Sequence, residues 1–119
     1  MANELNISIS LTFSKSGSTI NKSYTDSIDV AGNSFQHSVQ TLASGEETLT
    51  IHGDIGTVGY VFIKNLDATN FVSVGRTTGV YTAKLLAGEA NIFRLLSGTS
   101  IYVLPDTGSV DVEYIVIEL

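Results

Sequence analysis

The sequence predicts an all-β fold, an antiparallel β-sandwich of about eight to nine strands, and three observations support this prediction. Strand-length segments follow one another at spacings of about 8–12 residues, which is typical of sandwiches and barrels. No segment sustains the i, i+3, i+4 apolar spacing of a helix. Short apolar runs separated by turn residues fill the second half of the chain: Val58–Ile63, Phe71–Val74, Ile92–Leu96, Ile101–Leu104 and Tyr114–Ile117.

The first thirty residues predict a strand, a turn and edge strands. Ser14–Ser18 contains Gly17 and is a predicted turn, and the polar segment Ile20–Val30 predicts one or two edge strands with Tyr24, Ile28 and Val30 facing inward. Before this turn, apolar and polar residues alternate with a period of two, which predicts a strand with one inward and one outward face. The apolar residues of that alternating strand are Leu5, Ile7, Ile9, Leu11 and Phe13.

The rest of the chain supplies the remaining strands of a single sandwich domain over residues 1–119. They are Phe35–Leu42, Thr48–His52, Val58–Lys64, Asn70–Gly75, Tyr81–Leu86, Ala90–Leu96, Ser100–Leu104 and Val110–Glu118. Several runs are apolar at consecutive positions, so both faces of those strands should avoid water. The candidate core or interface residues are Tyr60, Phe62, Phe93, Leu95, Tyr102, Tyr114 and Val116.

Composition argues against several classes of partner. Twelve acidic and six basic residues give a net charge of −6, and the bases are scattered, so no stripe could follow a phosphate backbone. An acidic surface also disfavours anionic lipid, and no apolar run approaches the roughly 20 residues of a membrane helix. We therefore expect neither nucleic acid nor a membrane as partner. The lack of cysteine and of a signal peptide predicts synthesis in the cytoplasm.

One string looks catalytic. Asp106-Thr107-Gly108 is the triplet of aspartic proteases, whose retroviral type is a homodimer of similar chain length. Here it follows Pro105 and lies between the last two strands, and Pro-Asp-Thr-Gly is a favourable type I turn. The interpretation as a turn is therefore preferred, and we expect no enzyme.

No cofactor or metal is expected either. His37 and His52 have no acidic residue or cysteine at a ligand spacing, so ordinary sheet positions are the better interpretation. A calcium site remains a minor alternative, since Asp67 with Asn70, or Asp106 with Asp111, could supply oxygen ligands.

Two loops could carry contacts with a partner. Asn65–Asn70 is rich in Asn and Asp, and Gly75–Gly79 places Arg76 at a loop tip. Loops are the usual location of binding residues, so a module for glycans or a host surface would place its function here. The candidate loop contacts are Asn65, Asp67, Asn70 and Arg76.

The second half of the chain resembles small structural proteins of tailed bacteriophages. The pattern runs through Gly59–Gly75, the Leu-Ala-Gly-Glu turn Leu86–Glu89, Phe93-Arg94-Leu95 and the closing segment Ile101–Tyr114. This resemblance implies a jelly-roll-like virion component, first a capsid decoration (cement) protein and second a head–tail or tail-surface protein.

The resemblance also implies partners and a location. The expected partners are further copies of the chain, as a homo-oligomer and most simply a trimer, and a major capsid protein. The expected location is the virion, after synthesis in the host cytoplasm. The N-terminal half departs most from the pattern, so a partner-specific role is expected there, and its alternating strand could remain inside the domain or reach a neighbouring copy.

Overall fold

The computed structural model describes residues 4–96, 98 and 100–119, and it is all-β with antiparallel sheets. This confirms the predicted fold class. The chain forms two compact units, the first ending at Ala31 and the second spanning Gly32–Leu119, and the prediction of one domain over residues 1–119 stays a prediction. The strands of the described residues are β1 (Leu5–Lys15), β2 (Ser18–Ile28), β3 (Phe35–Leu42), β4 (Glu47–Thr48), β5 (Val58–Asn65), β6 (Val72–Gly75), β7 (Ala83–Leu85), β8 (Ala90–Arg94), β9 (Tyr102–Pro105) and β10 (Val110–Glu118).

The first unit is a long β-hairpin. Strands β1 and β2 pair in register over 11 residues each, from Leu5 opposite Ile28 to Lys15 opposite Ser18. The connection is the two-residue turn Ser16-Gly17, with φ of 52° and 83°. Positive φ at both central residues is the mark of a type I′ turn, whose twist matches that of the two strands.

The second unit is a jelly roll of eight strands. Its two four-stranded sheets have the orders β3-β10-β5-β8 and β4-β9-β6-β7. The first strand of the unit therefore pairs with its last strand, the second with the last but one, and so on inward to β6 with β7. Such nested pairs describe one long antiparallel ribbon that is rolled into two layers.

The core of the second unit joins the inward faces of both sheets. Strands β5 and β10 alternate buried and half-buried residues, as a period of two requires. The buried cluster takes Val61, Ile63, Val112, Tyr114 and Val116 from one sheet. It takes Val72, Val74, Leu85 and Val103 from the other sheet.

Two glutamines of β3 replace part of a missing strand. Thr48–His52 was expected to be a strand, but β4 ends at Thr48. Gln40 accepts from the backbone N–H of Thr50 at 2.9 Å and donates to the Thr48 carbonyl at 3.1 Å. Gln36, which is 5% exposed, likewise donates to the Thr50 carbonyl at 2.9 Å and accepts from His52 N–H at 2.8 Å. Side-chain amides thus satisfy backbone groups that a neighbouring strand would otherwise pair.

Glu118 fastens the end of β10 to two loops. Its carboxylate accepts from the backbone N–H of Gly56 at 2.6 Å, of Asn33 at 3.0 Å and of Ser34 at 3.2 Å. The bond from Gly56, followed by that from Asn33, lowers the pKa of Glu118, because these bonds favour the charged form. A Cβ at position 32 would lie 2.6 Å from the Glu118 Cγ, so glycine is needed there to leave room for the Glu118 side chain.

We predict that Glu118→Gln reduces the loss of stability in acid. Because the pKa of Glu118 is lower in the folded state, the unfolded chain binds more protons than the folded chain in this pH range. The Glu118 carboxylate therefore stabilises the fold at pH values above the pKa of a glutamate in the unfolded chain, about 4.3. The stabilisation disappears as the pH falls from there through the lower folded pKa. Thermal unfolding between pH 3 and pH 6, read by circular dichroism, should show a shallower acid limb in the variant. An acid limb as steep as that of the parent chain would contradict this assignment.

Candidate interaction surfaces

The hairpin of the first unit has one apolar and one polar face. Residues directly opposite in an antiparallel pair lie on the same face, so the polar face collects Ser, Thr and Asn pairs such as Ser10 with Ser23 and Thr12 with Asn21. Thr12 Oγ1 donates to Asn21 Oδ1 at 3.0 Å. On the other face lie Ile9 (45% exposed), Leu11 (60%), Phe13 (50%), Ile20 (56%) and Tyr24 (50%), which we call the arm face.

The predicted inward orientation of Tyr24 is wrong. Its side chain is half exposed, whereas the other two residues predicted to face inward, Ile28 and Val30, are half-buried. The physical reason is that two strands alone do not provide a second layer, so the apolar face of the hairpin has no core of its own. Ile7 is the buried apolar residue of β1.

A second apolar surface lies on the outer side of the sheet β3-β10-β5-β8. The register places Phe35, Ile117 and Tyr60 in one row across three strands, and Ile115, Phe62 and Ile92 in the next row. We call this surface the sheet patch; it consists of Phe35, Val39, Tyr60, Phe62, Ile92, Ile115 and Ile117. Phe35 is 71% and Val39 58% exposed, and the others are half-buried. Six of these residues therefore form a contiguous apolar area that faces away from the core of its own unit, and Val39 lies at its border, opposite Glu113.

Polar pairs border the sheet patch. The guanidinium of Arg94 lies 4.8 Å from the centre of the Tyr60 ring. His37 Nε2 lies 2.6 Å from Glu113 Oε2, and Thr41 Oγ1 donates to Asp111 Oδ1 at 2.7 Å. An apolar centre with a polar rim is the usual anatomy of a protein–protein interface.

The candidate core or interface residues divide between these two environments. Tyr114, Val116 and Leu95 are buried in the core of the second unit, and Phe93 packs against it as a half-buried residue. Tyr60 and Phe62 belong to the sheet patch, and Tyr102 is half-buried on β9. Tyr60 and Tyr102 are only partly buried, because their strand positions point away from the core.

Asn65 is not an exposed loop contact, and that expectation is wrong. It is the last residue of β5 and fully buried. Its amide donates to the carbonyls of Asn70 at 2.8 Å and Leu85 at 3.1 Å, and its Oδ1 accepts from Asp67 N–H at 2.9 Å. All of its side-chain groups thus hold neighbouring backbone in place.

Asp67 and Asn70 shape the loop after Asn65. Asp67 Oδ2 accepts from the backbone N–H of Asn70 at 2.6 Å and of Thr69 at 3.0 Å. The bond from Asn70, then that from Thr69, lowers the pKa of Asp67. The carboxylate therefore closes a tight turn through Oδ2, one of the oxygens considered above as calcium ligands.

Arg76 lies at a cleft of about 410 Å³ at the end of the second unit. Its Nε donates to the Ser100 carbonyl at 2.6 Å. Val74, Ala83, Phe93 and Arg94 also line this cleft, between the edge of β8 and strands β6 and β7. Among the loop candidates, Arg76 therefore lines a cavity.

The residues with catalytic or metal-binding resemblance lie apart. Asp106-Thr107-Gly108 is a solvent-exposed turn in which Gly108 has φ of 65° and Asp106 N–H donates to the Phe71 carbonyl at 2.9 Å. His37 pairs with Glu113, and His52 is exposed. Within the part of the chain that the structure describes, no group of three or more histidine and acidic side chains converges on one point.

The arm face is the feature that sequence reasoning missed. The alternation predicts a strand inside the domain or one that reaches a neighbouring copy, but not a separate hairpin with an exposed apolar face. The available signal was the matching length of two alternating segments around the Ser16-Gly17 turn, which indicates a hairpin by itself.

Comparison of the chain with family models, with curated proteins and with solved structures finds no match. Among the described residues, no helix is long and apolar enough to cross a membrane. The surfaces themselves are therefore the basis for a functional proposal.

Proposed function

We propose that this chain is a structural protein that works by assembly, as a homo-oligomer that covers a protein lattice. The observation that carries this proposal is that one small chain exposes two separate amphipathic β-surfaces, the arm face and the sheet patch. Contiguous apolar areas with a polar rim mark interaction sites on soluble proteins, whereas single exposed apolar residues do not. Two such surfaces on each copy provide the contacts that a repeating assembly needs.

The finer proposal is a capsid decoration protein of a tailed bacteriophage, located in the virion. It is supported by the resemblance of Gly59–Tyr114 to small phage structural proteins and by the jelly-roll order of the second unit, since jelly rolls are frequent in viral capsids. The fold supports this by analogy only, because one fold serves many functions. Weak contacts at each lattice position suffice, since an oligomer binds through several copies at once.

The partner in this proposal is a major capsid protein, and the oligomer is a trimer at symmetry points of the lattice. In a closed symmetric ring, such as a trimer, every subunit makes the same contacts with its neighbours. The six basic and twelve acidic residues leave the chain acidic, so the proposed lattice surface is apolar or basic at the contact.

Cosedimentation with capsids tests this function. The gene's neighbourhood should contain a gene for a major capsid protein, and capsids assembled from that protein should carry this chain into the pellet at a fixed saturating ratio. Capsid protein that has not assembled serves as the control and should bind less, because it lacks the repeated sites. A neighbourhood without a capsid gene, together with a chain that stays in the supernatant, would contradict the proposal.

A further inference from the structure

We propose that the arm face of one copy packs onto the sheet patch of a second copy, so that each subunit gives an arm and receives one. This inference rests on the proposed function and specifies how the homo-oligomer forms. Its starting point is the exposure of both surfaces within a single chain, where Phe13 of the arm face is 50% and Phe35 of the sheet patch 71% exposed.

The two surfaces match in type. Each is one face of an antiparallel sheet with side chains that stand alternately out of the pleat. Such faces pack against each other at about 10 Å with interdigitated side chains, as in a sandwich. The arm provides Leu11, Phe13 and Ile20 at its far end, and the patch provides Phe35, Phe62 and Ile115. Addition of the arm to a sheet edge would pair backbone groups but leave the apolar face in water, so face-to-face packing is favoured.

The charges also fit a second copy of this chain. The charged residues of β1 and β2 are Lys15, Lys22 and Asp26, which lie on the same face as Leu11 and Phe13, with the two lysines nearer the turn. After Ala31 the chain carries nine of its twelve acidic residues and four of its six basic residues. The turn end of the hairpin is therefore basic, whereas the second unit is acidic, and Asp111 and Glu113 lie at the rim of the sheet patch, where Lys64 is opposite Glu113.

The area is sufficient when arms are exchanged. Five half-exposed large side chains present on the order of 400–500 Å² of apolar surface, given about 150–250 Å² for a whole aromatic side chain. If the arm face covers an equal area of the sheet patch, the total buried area is roughly half of that in a standard protein–protein interface. Exchange of two or more arms within a symmetric oligomer brings the total into the normal range, whereas a single arm contact does not.

Photo-crosslinking between isotopically distinct copies tests this inference. The chain is made with p-benzoylphenylalanine at position 13, mixed with ¹⁵N-labelled chain at a concentration that allows subunit exchange, and illuminated. Mass spectrometry should find the unlabelled arm joined to labelled peptides from β3, β5 or β10. The same probe at position 12, on the polar face of the arm, is the matched control and should give few such products.

A substitution on the receiving side provides an independent reading. Phe35→Ser removes the most exposed residue of the sheet patch and should weaken self-association about tenfold while the fold persists, because the side chain is 71% exposed.

The outcomes separate this inference from the proposed function. Crosslinks that join arm to arm, or arm to its own chain, would overturn the inference, as would an oligomer that Phe35→Ser leaves unchanged. Capsid binding would then still stand on its own cosedimentation result. A chain that joins capsids as a monomer would overturn the inference in the same way.

Discussion

Leu11→Glu/Phe13→Glu is expected to weaken self-association by about 100-fold or more, because it places two charges in the centre of the arm face. Half-burial of each apolar side chain contributes about 1–1.5 kcal/mol to the contact, and a carboxylate in its place must also lose water. The hairpin itself should tolerate the change, since the register places Leu11 opposite Lys22 and gives the new carboxylate a cross-strand partner. Sedimentation velocity over a dilution series measures the dissociation constant.

Ser10→Glu/Thr12→Glu is the matched control for charge. It adds the same two charges to the same strand, at positions that alternate with the first pair and face the other side of the hairpin. Self-association should change less than about fivefold, because rim and surface charges act weakly in salt. Equal weakening by both variants would show that net charge, rather than the arm face, governs assembly.

Asn65→Ala is expected to lower the free energy of unfolding by about 3–5 kcal/mol. The substitution leaves the carbonyls of Asn70 and Leu85 and the N–H of Asp67 without their partner, each at a cost of about 1–3 kcal/mol that is not fully additive. Urea unfolding, followed by circular dichroism and tyrosine fluorescence, measures the change. Asn70→Ala is the matched control, since Asn70 takes part in this network through its backbone, and it should change stability by less than about 1 kcal/mol.

Asn65→Asp distinguishes hydrogen bonding from the mere filling of space. The aspartate has nearly the same shape and keeps an acceptor for Asp67 N–H, but it turns a carboxylate oxygen toward the carbonyls of Asn70 and Leu85. At pH 7 it should therefore destabilise the fold at least as much as Asn65→Ala. A stability near that of the parent chain would contradict the assigned role of the amide.

The sequence predicted the sandwich well because its signal is local. Strands such as Val58–Asn65 and Val110–Glu118 carry buried residues at every second position, and the half-buried residues between them explain the consecutive apolar runs. The jelly-roll order depends on which strands pair over long distances, and the residues alone did not fix it.

The remaining errors arise where a residue's partner lies outside its own segment. An alternating strand such as Leu5–Phe13 looks the same whether its apolar face meets the core of its own domain or another surface. Asn65 was assigned to an exposed loop because Asn is common in turns, whereas its buried amide serves carbonyls up to 20 residues away. Gln36 and Gln40 of β3 likewise point inward because their side chains bond the backbone of Thr50, which lies outside any strand.

Sedimentation velocity of the unmodified chain from about 1 to 300 μM tests the central claim most directly, namely that the arm face and the sheet patch are covered by assembly. The sedimentation coefficient should rise with concentration from that of a 12.7 kDa monomer to that of a closed oligomer, as expected for micromolar contacts. A single monomer value across the whole range would contradict it.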